Sequence, residues 1–291
     1  MPISARGAKI ILFLCSLMAA AVLEAAPGPG LDSTLRRDVE FLSDSLCAGR
    51  KTGTAGSSGA SFYLIGSLRK LGYEVEMIPF RTSSGAIGHN ILAFRSGYQG
   101  RALLLMASYD GLGRIGEKLY PGADSNASGT AALLYLAERV KDRNDVVLAF
   151  VDGHNANLSG AAALKEHMKA RRLRMVVSLD ILGSSLAPPD EFWKDYLIVL
   201  GGSPYKASLE KANVDSKLHL YYNYYGSRSF TELFYRKVSD HKVFLDRGIP
   251  VLMFTSGITM NTNREGDRYE TLDYPVFARR VELIGKWLES Q

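Results

Sequence analysis

VVLAFVDGHNANLSG, residues 146–160, is the stretch from which the fold can be read. It opens with an unbroken apolar run, Val146 to Val151, and breaks at Asp152-Gly153-His154-Asn155. A small-residue helical pattern follows from Leu158. A short apolar run bounded by turn residues reads as a strand buried on both faces. In an open α/β sheet, ligands sit beyond the carboxyl ends of such strands. His154 and Asn155 are therefore placed where chemistry is expected.

The same alternation extends outward. Tyr73, Val75 and Met77 alternate with Glu74 and Glu76, predicting an edge-like strand. HNILAF (89–94), ALLLMA (102–107), MVVSL (175–179), residues 197–200 and IPVLMF (249–254) read as further strands. The aromatic run LHLYYNYY (218–225) reads as an ordinary strand, with a substrate-facing wall as the sharper alternative. Leu35, Val39, Leu42 and Leu46 recur at helical spacing, ended by Gly49. Leu64, Leu68 and Leu71 mark a second helix, closed by Gly72.

Further helices are expected near residues 128–140, 161–170, 205–212 and 241–248, and at Phe277, Val281, Ile284 and Leu288. The loop RKTGTAGSSG (50–59) lacks the Gly-Lys-Ser/Thr of a phosphate-binding loop and reads as a plain loop. The expected class is α/β, with a mostly parallel central sheet and helices on both faces.

With 291 residues and 46% hydrophobic content, one large core is expected. A formal charge of +5 without a long Lys/Arg block argues against nucleic acid. Arg6 and Lys9 precede the apolar run 10–23, so residues 1–26 read as a secretory signal followed by a single domain at 31–291. The protein is expected to be exported to a periplasmic or extracellular space. No stable membrane span should remain after signal removal, and an uncleaved anchor is the alternative. Signal loss would leave Cys47 as the only cysteine, excluding an internal disulfide.

Polar clusters follow or flank the apolar strands: Ser108-Tyr109-Asp110, Asp124-Ser125-Asn126, His154-Asn155, Asp180 and Ser239-Asp240-His241. Such convergence is the layout of a cocatalytic metal site. Together with LCAGRKTGTAG (46–56), PGADSNASG (121–129), FVDGHNANLSG (150–160), SLD (178–180) and SDHKVFLDRGIPVLMF (239–254), the chain resembles the M28 zinc peptidases, which include aminopeptidases and glutaminyl cyclases. The resemblance runs from about Leu42 to Leu288 and implies a zinc-exopeptidase-like fold.

The resemblance also implies which positions would hold metal. Ser108 stands at a His ligand, with Asp110 as its orienting partner. Ser125, preceded by Asp124, stands at the carboxylate that bridges two metals. His154 stands at the general base and Asn155 at the ligand that follows it. Asp180 and His241 match the remaining ligands, so three of five are replaced.

Zinc takes His nitrogen, Cys sulfur and carboxylate oxygen; hydroxyls and amides carry no charge to offset a dication. The expectation is therefore a catalytically inactive relative with no metal cofactor that binds a peptide or protein. The alternative is an active metal-dependent aminopeptidase or related hydrolase, with zinc in a site rebuilt from His154, Asp180, His241 and Asp124. A serine hydrolase using Ser108 or Ser125 is disfavoured, because neither lies in a G-x-S-x-G elbow. Asp180 and His241 also have bland readings, as a turn cap and a hydrogen-bonded structural histidine.

Overall fold

The computed structural model describes residues 30–97 and 100–291. The expected signal segment lies outside the described residues. The elements in chain order are α1 (Leu31–Ser43), α2 (Ala55–Lys70), β1 (Glu74–Arg81), β2 (Ile87–Phe94), β3 (Ala102–Ser108), β4 (Gly113–Ile115) and β5 (Lys118–Tyr120). They continue with α3 (Gly129–Arg139), β6 (Val146–Val151), α4 (Ser159–His167), β7 (Leu173–Leu179), β8 (Tyr196–Leu200), α5 (Lys206–Ala212) and β9 (His219–Tyr221). The last are α6 (Arg228–Arg236), α7 (Lys242–Leu245), β10 (Val251–Thr255) and α8 (Tyr274–Glu289).

One 8-stranded sheet has the order β1-β2-β6-β3-β7-β10-β8-β9. Its interior strands β6, β3, β7 and β10 run parallel. The flanks are mixed: β1, β2 and β6 pair antiparallel, as do β10 and β8. Every residue of β3 and β6 is buried, as their continuous apolar sequence requires.

Alternation along those strands divides the core. Leu103, Leu105, Leu148 and Phe150 join Leu35, Leu64, Leu133 and Phe277 from α1, α2, α3 and α8. Leu104, Met106, Val147 and Ala149 join Leu164 and Phe244 from α4 and α7. Helices therefore cover both faces, and the interior parallel strands deliver their carboxyl ends to one edge. Residues Leu31–Gln291 form one compact unit that contains all these elements.

Several local expectations change. The first helix ends at Ser43, and turns carry the chain to Arg50. The Arg50 guanidinium is buried and donates to the carbonyls of Leu42, Tyr109, Pro121 and Gly122, drawing the chain inward ahead of Gly49's expected stop. Residues 50–59 are only partly loop: Thr54 caps α2 by accepting from Ser57 N, so the helix begins at Ala55. The aromatic run 218–225 is a strand only at His219–Tyr221; Tyr224 instead packs against Tyr196 and Ile198 in a small separate core. Helix α6 was not anticipated, although Phe230, Leu233 and Phe234 recur at helical spacing; none of its residues is fully buried.

Candidate functional site

The site is built where β3, β6 and β7 end side by side. Beyond β6 the chain turns at Gly153, whose φ is +72°, and enters α4 at Ser159, with Gly160 in its first turn. A Cβ at Gly160 would lie 1.8 Å from the Asp152 carbonyl oxygen, so only glycine lets the helix start this close to the strand end. Asp152 is buried and accepts from Thr52 Oγ1 at 2.7 Å, His89 N at 3.0 Å and Gly153 N at 2.7 Å. These bonds pin the turn that presents His154 and Asn155.

Asp110, beyond β3, is also buried. Its carboxylate accepts from the backbone N–H groups of His154 at 2.9 Å and Asn155 at 3.0 Å, and from Asn155 Nδ2 at 3.3 Å. Burial pushes its pKa up to about 6, while the His154 charge opposes the rise. In this chain Asp110 holds the loop after β6. Ser108, the residue that the resemblance pairs with it, is bonded elsewhere.

Ser108 and Ser125 lie on either side of a polar knot. Asn126 donates through Nδ2 to Ser108 O (3.2 Å), Ser108 Oγ (3.3 Å) and Leu179 O (3.1 Å). Its Oδ1 accepts from Gly129 N at 3.1 Å and Ile181 N at 2.9 Å. Asp267 clamps the same loop, accepting from Asp124 N at 2.7 Å and Ser125 N at 3.0 Å. Asp124 Oδ1 accepts from Gly183 N at 2.7 Å and Ser128 Oγ at 3.0 Å, but its buried Oδ2 has no partner among the described residues. Burial, with Asp267 adding, raises its pKa to about 7.

His154 and His241 have different surroundings. The His154 side chain is 31% exposed, and its Nδ1–H donates to Asp240 Oδ2 at 2.8 Å. Burial acts to lower its pKa, but Asp240, Asp180 and Asp110 outweigh this and raise it to about 10. Half-buried Asp180 is shifted upward by burial, and His154 opposes that shift. His241 is fully buried, with Nε2–H donating to Tyr235 O at 2.8 Å and Nδ1 left without a partner. Burial lowers its pKa to about 4.

The structure thus brings His154, Asn155, Asp110 and Asp180 towards one locality, with Ser108 beside them on β3. The ring of His241 is turned onto the Tyr235 carbonyl, and its neighbour Asp240 meets His154 instead. Asp240 was legible only as part of Ser239-Asp240-His241. Asp267 gave no sequence signal, because its role depends on a loop far away in the chain.

Among the described residues, no group of three or more His, Cys, Asp or Glu side chains is arranged to hold a metal ion. The donor chemistry also differs from that of a zinc centre: Ser108 Oγ accepts from an amide, Asn155 Nδ2 is turned onto Asp110, and His154 Nδ1 is committed to Asp240. These residues do not fit the pair of metals that the resemblance implies. No helix of the described residues is long and apolar enough to cross a membrane.

The sequence model of peptidase family M28 matches residues 90–288, more than half of the chain. A glutaminyl-peptide cyclotransferase of Drosophila melanogaster is 30% identical over 174 residues, which are 52% of this chain and 48% of that protein. The chain thus aligns with about half the length of this relative. Among solved structures, the zinc aminopeptidase BSAP of Bacillus subtilis superposes with a TM-score of 0.72 at 13% identity, covering 90% of this chain and 95% of that one. The glutaminyl cyclase of Porphyromonas gingivalis gives 0.69 at 18% identity, covering 90% and 100%. At such identities these likenesses establish the fold alone.

Proposed function

The chain belongs to peptidase family M28, and we propose that it is an exported, catalytically inactive member that binds a peptide or protein at the strand ends. The observation that carries this reading is the bonding at the strand ends: Ser108 Oγ accepts from Asn126 Nδ2 and Asn155 Nδ2 is turned onto Asp110, so neither position offers the charged donor that a dication needs. His154 stands where the family resemblance puts the general base; Asp240 holds its Nδ1–H at 2.8 Å, and the surrounding carboxylates raise its pKa to about 10, which favours the protonated ring over the basic one.

Binding has a surface available to it. Beside Asn155 lies a groove of about 280 Å³ lined by Lys51, Thr52, Thr82 and Ser84 together with Leu112 and Ile115. Polar groups beside apolar side chains suit a peptide, whose backbone and side chains need both. No resident metal is part of this reading. Export rests on Arg6, Lys9 and the apolar run 10–23; cell fractionation that found the full-length chain in the cytoplasm would overturn it.

The deciding experiment is metal analysis of the purified protein combined with aminopeptidase and glutaminyl cyclase assays. Less than about one equivalent of zinc after dialysis, and no turnover with zinc restored, are expected. Stoichiometric zinc that supports turnover and is lost on Asp180→Ala would establish the rebuilt hydrolase instead.

A further inference from the structure

We propose that the amino edge of the sheet is a docking face for an anionic phospholipid surface, centred on Arg171 and Arg172 ahead of β7. Adsorption of this kind needs no membrane span, and it leaves the cleft at the carboxyl ends of the strands facing solvent.

Charge is separated along the strands. The connections that lead into β3, β6, β7 and β10 are residues 95–101, 140–145, 168–172 and 246–250, and they contain eight Lys or Arg and three Asp. The connections that leave the same strands are residues 109–128, 152–158, 180–195 and 256–273, and they contain five Lys or Arg and twelve Asp or Glu. Because the four strands run parallel, the first set gathers at one end of the sheet and the second at the other. Each basic connection is short, so no long Lys/Arg block marks the face in the sequence. An anionic plane attracts the first end and repels the second, which fixes an orientation.

The basic edge is only partly neutralised from within. Asp145 is spent on Arg143 and Arg174, and Glu166 pairs with Lys169. Arg171 and Arg172 form no ion pair among the described residues. The Arg171 guanidinium lies 4.4 Å over the centroid of the Phe94 ring, which holds its charge in place without cancelling it. Arg172 is exposed, and its carbonyl accepts from Ala102 N at 2.7 Å, tying it to the start of β3. The two arginines line a hollow of about 430 Å³ together with Phe94 and Asn144. Guanidinium forks match phosphate oxygens, so the hollow suits a lipid headgroup phosphate. Charges spread over four connections suit a plane of such headgroups better than one acidic peptide in a groove. The choice of lipid over nucleic acid rests on the export proposed above.

The test is vesicle sedimentation of the full chain, with phosphatidylcholine alone and with about one third phosphatidylglycerol. The apolar run 10–23 contributes alike to both vesicles, so the difference between them reads the charge. Stronger partition into the anionic vesicles is expected, and it should be lost in about 1 M salt, where the Debye length is about 3 Å. Arg171→Gln with Arg172→Gln should lower that partition about 25-fold, at about fivefold per cation. Arg172→Gln alone changes an exposed side chain and should cost about fivefold, which keeps the test decisive if the pair does not fold. Lys194→Gln with Arg264→Gln removes the same net charge from the carboxyl edge and should cost less than about twofold. Arg171→Lys with Arg172→Lys keeps the charge and should bind within about threefold of the parent. Equal partition into both vesicles, equal losses from the two edges, or a Lys pair as weak as the Gln pair would overturn the proposal. Displacement by millimolar inorganic phosphate at constant ionic strength would reduce the face to a pocket for a free anion, and tighter binding to a DNA duplex would assign it to nucleic acid; either overturns it. All these measurements use purified protein, so they stand apart from fractionation, which tests export, and from turnover, which tests the cleft.

Discussion

The polar network beneath the site and the charged groups at its rim follow opposite rules. Below, Asn126 uses both ends of its amide, Asp267 accepts two neighbouring backbone N–H groups, and Arg50 spends its guanidinium on carbonyls. At the rim lie three of the five buried side-chain atoms that have no partner among the described residues: Asp124 Oδ2, Asp240 Oδ1 and His241 Nδ1. Buried polar groups are nearly always paired, so a concentration of unpaired ones marks a place shaped by something other than stability. The difference teaches that the loops carrying the site are held by a satisfied network while the groups they present are left with unpaired atoms.

The largest effect should come from the support. Asn126→Ala would leave Gly129 N, Ile181 N and the Ser108 and Leu179 carbonyls without their shared partner. A loss of roughly 3–5 kcal/mol in urea unfolding is expected. A loss below about 1 kcal/mol would break the contrast between network and rim.

A rim group should show its effect through pH. His241 has a folded pKa lowered from 6.5 to about 4, so it favours the folded state when neutral. That contribution is fully present above about pH 6.5 and is lost as pH falls towards 4. Asp110 and Asp124 shift upward, to about 6 and 7, and act in the opposite sense: their penalty is relieved on acidification. The clean measurement is therefore a difference between variants. His241→Gln should gain on the parent between pH 7 and 4 by up to about 3 kcal/mol. A pH-independent difference would mean that the His241 ring is not held neutral by burial.

Changing the rim's identity should matter next. Ser108→His, Ser125→Asp, His154→Glu and Asn155→Glu together restore charged or nitrogen ligands beside Asp180. The metal-free variant should be less stable than the parent through like-charge repulsion. Zinc at about 100 times its dissociation constant should then stabilise the variant by about 2.7 kcal/mol and leave the parent's Tm almost unchanged. An equal rise in the parent would reveal a metal site already present.

The smallest effect should be at Ser125. Its backbone N–H is held by Asp267, and that bond survives loss of the side chain. Ser125→Ala should change stability by less than about 0.5 kcal/mol, as thermal melts would show. A larger loss would place the hydroxyl in the supporting network.

The sequence by itself determined the elements whose burial leaves a periodic signature. Val146–Val151 was legible as a strand because a segment covered on both faces must be apolar throughout, and the retained motifs led to the family. The same reading placed Ser108, Asp110, His154, Asn155 and Asp180 near strand ends. Tertiary structure alone decided how those side chains are spent. Which atom His154 meets depends on Asp240, far along the chain, and the Asp267 clamp on Asp124 and Ser125 spans a comparable separation. The short course of β9 was also decided by packing, because its aromatic residues are only partly buried. Periodicity records which face of a segment is buried; it contains no term for partners brought together by the closing of the sheet, and those partners set the charge and the free lone pairs on which any chemistry at this site depends.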